Sequence, residues 1–399
     1  MCKHLRIWLF ALLATLLASN TLLAQGVITM TTSKAVGETI LLRVVANGNV
    51  SIEGALETGE MNEDGFKFYT IKSQTITIRG DVTELDCNEN QLTSLNVSKN
   101  TALTSLECSY NQLTSLDVSK NTALEELDCF SNQLTSLDVS KNTALEVLNC
   151  FSNQLTSLEV SKNSSLTKLW CSYNQLTSLD LSQNIALTKL DCSYDQLTSL
   201  DVSGCTALTE LNCINNQLTS LDVSKNTVLT ELECSYNQLT SLDLSQNTAL
   251  TELFCHSNQL TSLDVSKNTA LEVLDCLYNQ LTILDVSKNT TLTSLECSYN
   301  QLTSLEVSKN TALTTLSCND NKLTNLNMSG CANLMVINCS NNYINGKAMT
   351  KLVNSLPNRR GMYCGTIFLV DSSSKKSDKN RCSAADVTTA KRKNWKVRQ

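Results

Sequence analysis

The chain has 399 residues and a formal net charge of −7, with 18 cysteines, 12 glycines, two histidines and a single proline. So little proline and glycine excludes a loop-rich globule, and the scarcity of histidine leaves His-based triads and His-rich metal sites without side chains to draw on. Leucine, serine, threonine and asparagine dominate instead, which directs attention to internal repetition.

In chain order, Lys3, His4 and Arg6 precede an apolar run from Ile7 to Ala18, and Leu22-Leu23-Ala24 stands before Gln25. The run is shorter than the roughly 20 residues of a membrane span, so residues 1–24 read as a cleaved signal peptide and predict export, to the outside or to the cell surface. No later segment predicts a transmembrane span. Residues 25–80 predict a small β cap. Strands around Ile40–Val45 and Val50–Ile52 flank Asn47-Gly48, a hairpin signal, and strands at 66–71 and 75–79 lead into Val82.

Residues 81–345 carry the dominant pattern. Thirteen cysteines, from Cys87 to Cys339, recur every 21 residues. The unit Leu103 to Ala123 reads LTSLECSYNQLTSLDVSKNTA, and its halves share the spacing L-x-x-L-x-C/V-x-x-N. Leu103, Leu106, Cys108, Leu113, Leu116 and Val118 should point to one axis, with polar residues alternating outward. A period of two predicts extended chain. A lone coil cannot bury enough apolar surface to offset its lost entropy, so thirteen coils should stack into a β-rich solenoid. Asparagines three residues after each cysteine, beginning with Asn111, and a second series beginning with Asn100, should satisfy backbone groups at the turns. Asp195 interrupts the first series, and Cys205 and Cys331 replace asparagine in the second.

Residues 346–399 predict a basic α/β C-terminal cap. A helix near Gly346–Leu356 should stop at Pro357, a strand follows at 366–370, and Ser383-Ala384-Ala385-Asp386 is a capping-box pattern opening a last helix. Residues 25–345 carry a net charge of −19 and residues 346–399 one of +10.

The unit LTxLxCSYNQLTSLDVSKNTA resembles the cysteine-ladder leucine-rich repeats of internalin-J-like bacterial surface proteins. The resemblance covers residues 81–345 and implies a right-handed, curved leucine-rich-repeat array with a role in adhesion or protein recognition. The chain departs from internalins in lacking their helical N-cap pattern. Leu356-Pro357-Asn358 also lacks the threonine of the wall-sorting motif.

No catalytic constellation, glycine-rich phosphate loop or cofactor motif is found, so a non-enzymatic protein without cofactors is expected. Parallel thiols one strand apart do not converge as metal ligands must, and they read as small hydrophobes. Cys364 and Cys382, outside the ladder, are left open as a pair. A column of second-half acids from Asp117 to Asp285 should form solvated ion pairs with lysines such as Lys120, with calcium as the alternative. The acidic array disfavours nucleic acid.

Ten aromatics between Val82 and Asn333 all lie beside a ladder cysteine, at outward positions. Two readings stand together: rings stacking to stiffen an edge, and rings anchoring a partner. Trp170 interrupts a polar column, and Lys168 and Lys189 interrupt an acidic one. Phe151, Lys168, Trp170, Tyr173, Lys189 and Tyr194 therefore form the candidate ligand surface, for a protein or glycan. The competing expectation is an envelope or matrix protein that self-associates through the basic cap.

Overall fold

The computed structural model describes residues 26–371 and 378–398. The expected signal peptide and Gln399 lie outside the described residues. The chain divides into two compact units meeting at Leu176 and Thr177.

The first unit begins with strands β1 (Val27–Thr32), β2 (Thr39–Ala46), β3 (Ser51–Glu53), β4 (Ala55–Met61), β5 (Lys67–Ile71) and β6 (Thr75–Arg79). The first coil follows, with β7 (Val82–Asp86) in its cysteine half and β8 (Leu92–Asn96) in its valine half. Both halves receive an antiparallel neighbour. β2 pairs with β7, Val44 opposite Leu85, and β1 pairs with β8, Met30 opposite Leu95. The expected hairpin at Asn47-Gly48 is not formed. β2 pairs with β5 and β7, whereas β3 pairs with β6. Gly48, at φ 113°, instead passes the chain from one sheet to the other, and the Asn47 N–H is bonded to Asp81. Pairing to the first coil outcompetes the local turn, because the second half of β2, residues 43–46, is taken up by β7 while the first half, residues 39–42, pairs with β5.

From there each coil contributes one three-residue strand: Ser105–Glu107, Glu126–Asp128, Val147–Asn149 and Lys168–Trp170 (β9 to β12). These are parallel and in register, with Leu106, Leu127, Leu148 and Leu169 side by side. The six inward positions of the Leu103 coil are all buried. In later coils the valine half has no paired strand, contrary to the expected extension through both halves. There the backbone curls: the Asp117 carboxylate accepts the Ser119 N–H at 2.9 Å, and Asp138 treats Ser140 the same way.

The second unit repeats this plan with strands Lys189–Asp191, Glu210–Asn212, Glu231–Glu233, Glu252–Phe254, Val273–Asp275, Ser294–Glu296, Thr315–Ser317 and Val336–Asn338 (β13 to β20). Strands β21 (Gly365–Phe368) and β22 (Trp395–Arg398) extend the parallel sheet beyond the repeats. Helices α1 (Lys347–Ser355) and α2 (Ala384–Arg392) alternate with them. α2 opens on the expected capping box, Ser383 and Asp386 bonding each other's backbone N–H groups. Trp395 is buried, donates its indole N–H to the Pro357 carbonyl at 2.9 Å, and lies where a Cβ on Gly365 would come within 2.6 Å.

Asparagine binds coil to coil. Asn237 donates to the carbonyls of Cys213, Cys234 and Ser235, while its Oδ1 accepts the Leu218 N–H at 3.0 Å. In the second series Asn247 donates to Val223 and Asn226, yet its buried Oδ1 accepts nothing. Cys205 and Cys331 keep one of these bonds, each thiol donating to the carbonyl 24 residues back.

Candidate functional site

Side chains flanking the central leucine of each short strand face outward from the sheet. In the first unit these include Lys168 and Trp170, with Asn149 beside Trp170 in the register. Arg43 of β2 reaches the same face and bonds Glu107 at 3.2 Å, a contribution the repeat pattern could not announce. Neighbouring carboxylates crowd there. Burial, then Glu107 and Asp128, raises the Glu126 carboxyl above its ordinary range, and Lys168 opposes that shift.

In the second unit Glu210, Glu231 and Glu252 are adjacent across three strands. Partial burial and the neighbouring Glu231 push the Glu233 carboxyl up to about 7. Lys189 is not a free cation in this field, since its Nζ lies 2.6 Å from Glu210 Oε1. The expected basic interruption is thus partly neutralised.

The second feature is a row of rings at the turn after each strand. The residue two places after the ladder cysteine adopts a left-handed backbone in coil after coil, with φ of 53° at Tyr110, 55° at Tyr173, 53° at Tyr194 and 53° at Tyr236. This conformation costs a non-glycine residue roughly 1–2 kcal/mol, and ring contact helps offset it. Tyr110 meets Phe130 at 4.4 Å between centroids, Phe130 meets Phe151 at 5.2 Å, and Phe151 meets Tyr173 at 5.0 Å. In the second unit Tyr236 packs edge-on against His256 at 4.8 Å, giving that histidine a place in the row. Stacking does not bury these rings, for Tyr110 and Tyr236 stay more than half exposed. Of the candidate residues, Phe151 and Tyr173 belong to the first unit's ring row, Lys168 and Trp170 to its sheet face. Lys189 and Tyr194 occupy the corresponding positions in the second unit.

The remaining chemistry is structural. All thirteen ladder cysteines are buried. Cys129 and Cys276 each donate to a carbonyl 20 residues on, at 3.5 Å. Burial pushes the Cys234 thiol up to about 12 and Cys108 well above its ordinary value. Cys364 and Cys382 are free, the first exposed, each thiol facing the carbonyl of the next residue. The Asp column does not form the expected lysine pairs. Hydrogen bonds from Ser119 are the main cause that holds the Asp117 carboxyl below its ordinary range, with Lys120 the smallest contribution. Among the described residues no group of three or more His, Cys, Asp or Glu side chains could hold a metal, and no helix is long and apolar enough to cross a membrane.

A family model for paired leucine-rich repeats matches residues 101–142 and 122–163. No curated protein matches the chain. Among solved structures, the functional domain of InlJ from Listeria monocytogenes, which includes a cysteine ladder, is 34% identical, with 75% of this chain and 77% of that one covered and a TM-score of 0.53. A leucine-rich-repeat protein of Leptospira interrogans is 23% identical over 79% of this chain and 83% of its own, at a TM-score of 0.67. The Listeria monocytogenes internalin InlF is 24% identical over 66% and 82%, at 0.60. The last two likenesses are of fold alone. With its 21-residue coils, buried thiol ladder and extended identity to InlJ, this chain belongs to the cysteine-ladder leucine-rich-repeat proteins of the internalin type.

Proposed function

We propose that the protein is an exported or surface-displayed recognition module, without catalytic activity, whose sheet face and adjoining ring row bind a protein partner. The observation that carries this reading is the coexistence of exposure and fixation. Tyr110 and Tyr173 are held by ring contacts and by a strained turn, yet remain 52% and 46% exposed. An anchor fixed before binding loses little entropy on association. The carboxylates beside it favour a basic partner surface and make association sensitive to salt. The InlJ relationship supports a bacterial surface setting.

The test is lysine acetylation of the full chain with and without a partner captured from extracellular extracts. Protection should concentrate on Lys168 and Lys189, on the sheet face, and spare Lys120 and Lys225 in the valine halves. Trp170→Ala and Tyr173→Ala should weaken capture at unchanged melting temperature. Protection confined to the valine-half lysines would move the interface away from the sheet. Assembly through the basic C-terminal segment is the competing reading, and sedimentation that reverts to monomer at high salt, with no partner present, would favour it.

A further inference from the structure

In the second unit the ring row ends abruptly. Tyr278 and Tyr299 are stacked, with centroids 4.1 Å apart and planes 22° from parallel. At the same turn position one coil later stands Asp320, and after it Asn341, both left-handed at φ of 53° and 54°. No ring continues the stack at these two positions. A cleft of about 490 Å³ opens there, bounded by Tyr299, Asp320, Lys322, Asn341, Tyr343 and Lys379. Tyr343 does not belong to the row. It occupies the position of Gln301 and Lys322 in preceding coils and stands 47% exposed at the side of the gap.

The walls of this cleft are fixed. Asp320 accepts the Asn319 and Asn341 side-chain amides at 2.8 and 3.4 Å, and Asp378 accepts the Asn341 and Asn380 backbone N–H groups at 2.8 and 2.7 Å. Hydrogen bonding with Tyr278 and burial push the Tyr299 phenol up to about 12, so it remains a neutral donor at physiological pH. Among the described residues, two aspartates and two lysines give the lining no net sign, which argues against a strongly charged ligand. The unfilled rung suits a flat ring with an apolar C–H face for Tyr299. Around the rung, however, lie amide, carboxylate and ammonium groups that require a polar ring edge. An aromatic side chain has the face without the edge, and its rim would cover, without bonding, the lone pairs of Asp320 and the ammonium protons of Lys322 that Asn319, Asn341 and Gln301 do not use. A pyranose has both.

We propose that this cleft is a carbohydrate subsite. It takes one neutral pyranose ring of a glycan, stacked on Tyr299 in the rung left open by Asp320, with its hydroxyls met by Asp320, Asn341 and Lys322 and its flank by Tyr343. The subsite uses none of Phe151, Lys168, Trp170, Tyr173, Lys189 and Tyr194, so Trp170→Ala and Tyr173→Ala test the partner reading separately from this one.

Saturation-transfer NMR on the full chain with millimolar cellobiose, lactose, maltose and N,N′-diacetylchitobiose tests it. At least one disaccharide should receive transfer at the C–H protons of a single ring. Three substitutions borrow or extend what other coils already use. Tyr299→Ser follows Ser131, Ser152 and Ser257 and should weaken the contact roughly tenfold, as expected for loss of a stacking platform. Tyr343→Gln follows Gln301 and should weaken it less. Asp320→Tyr completes the ring row and should abolish binding without lowering the melting temperature, while Tyr110→Ser, in the first unit's row, should leave disaccharide transfer unchanged. The proposal is overturned if no disaccharide receives transfer, if transfer survives Asp320→Tyr, or if Tyr110→Ser diminishes it equally.

Discussion

The two halves of each coil are nearly the same sentence written twice, yet they fold differently. Asn237, in the cysteine half, uses both its amide donors and its carbonyl oxygen, closing its turn and gripping the preceding coil. Asn247, in the valine half, donates to two carbonyls and leaves a buried oxygen unpaired. Strands pair in the first half, and aspartate-capped curls replace them in the second. The lesson is that spacing decides which side chains go inward, whereas the backbone between them is decided by who is available to bond. That is why cysteine replaces asparagine at positions 205 and 331 in the second half.

The sharpest way to break this comparison is to disable the shared apolar frame. Leu232→Asp buries an unpaired carboxylate between two coils and should cost about 3–5 kcal/mol or unfold the unit outright. Native alkylation reads the damage: Cys364 should react in both proteins, while the ladder thiols should react only in the variant. Glu231→Ala beside it should leave melting unchanged or slightly raised. Equal melting temperatures for these two variants would show that the inward and outward faces are misassigned.

The halves themselves are compared by Asn237→Ala against Asn247→Cys. The first leaves several buried groups unsatisfied and should cost about 3 kcal/mol, at about 1–3 for each group stranded. The second copies Cys205 and should cost under about 1 kcal/mol, since it also removes an orphaned acceptor. Similar losses measured by urea unfolding would mean that the two ladders are equivalent after all.

A smaller effect comes from the acidic face. Glu233 titrates near 7 in the fold against an ordinary 4.5. The folded state therefore holds a proton that the unfolded chain has released, so this group's stabilising contribution is full below pH 4.5 and is lost as pH rises through about 7. Melting temperature should fall across that window, and Glu231→Gln should flatten the slope by removing the second cause of the shift. An unchanged slope would place the pH dependence elsewhere.

Much of this was legible in the sequence. The cysteine interval gave the coil, and the apolar positions of Leu103 to Val118 are the buried ones, because a strict repeat leaves one consistent inward set. The Asn47-Gly48 hairpin was misread because local turn chemistry cannot reveal that β2 is claimed by the first coil. Likewise the Asp117 column looked like ion pairs until Ser119 proved the nearer donor. Asn380 was invisible for a different reason. It bonds Cys339 and Ile344 as a ladder asparagine would, but arrives outside the period, so no repeat scan can find it. Of the candidate surface, the ring row was visible as a column of aromatics, whereas its interruption at Asp320 acquires meaning only beside Tyr343.

The bonds between coils reach back or forward by 19, 20, 21, 22 or 24 residues, landing on an equivalent atom one coil away. Removing residues 230–250 would therefore set Leu229 before Thr251, a junction the chain already makes at Leu250, and each severed partner would find a substitute. Losing a fraction of that length would misalign every ladder at once. A gene encoding such near-identical units is prone to unequal pairing during replication, and here the only slips that preserve the fold are whole units, which also keep the reading frame. Copy number becomes a heritable variable of its own, and the parallel sheet grows or shrinks by one strand spacing, about 4.8 Å, per event.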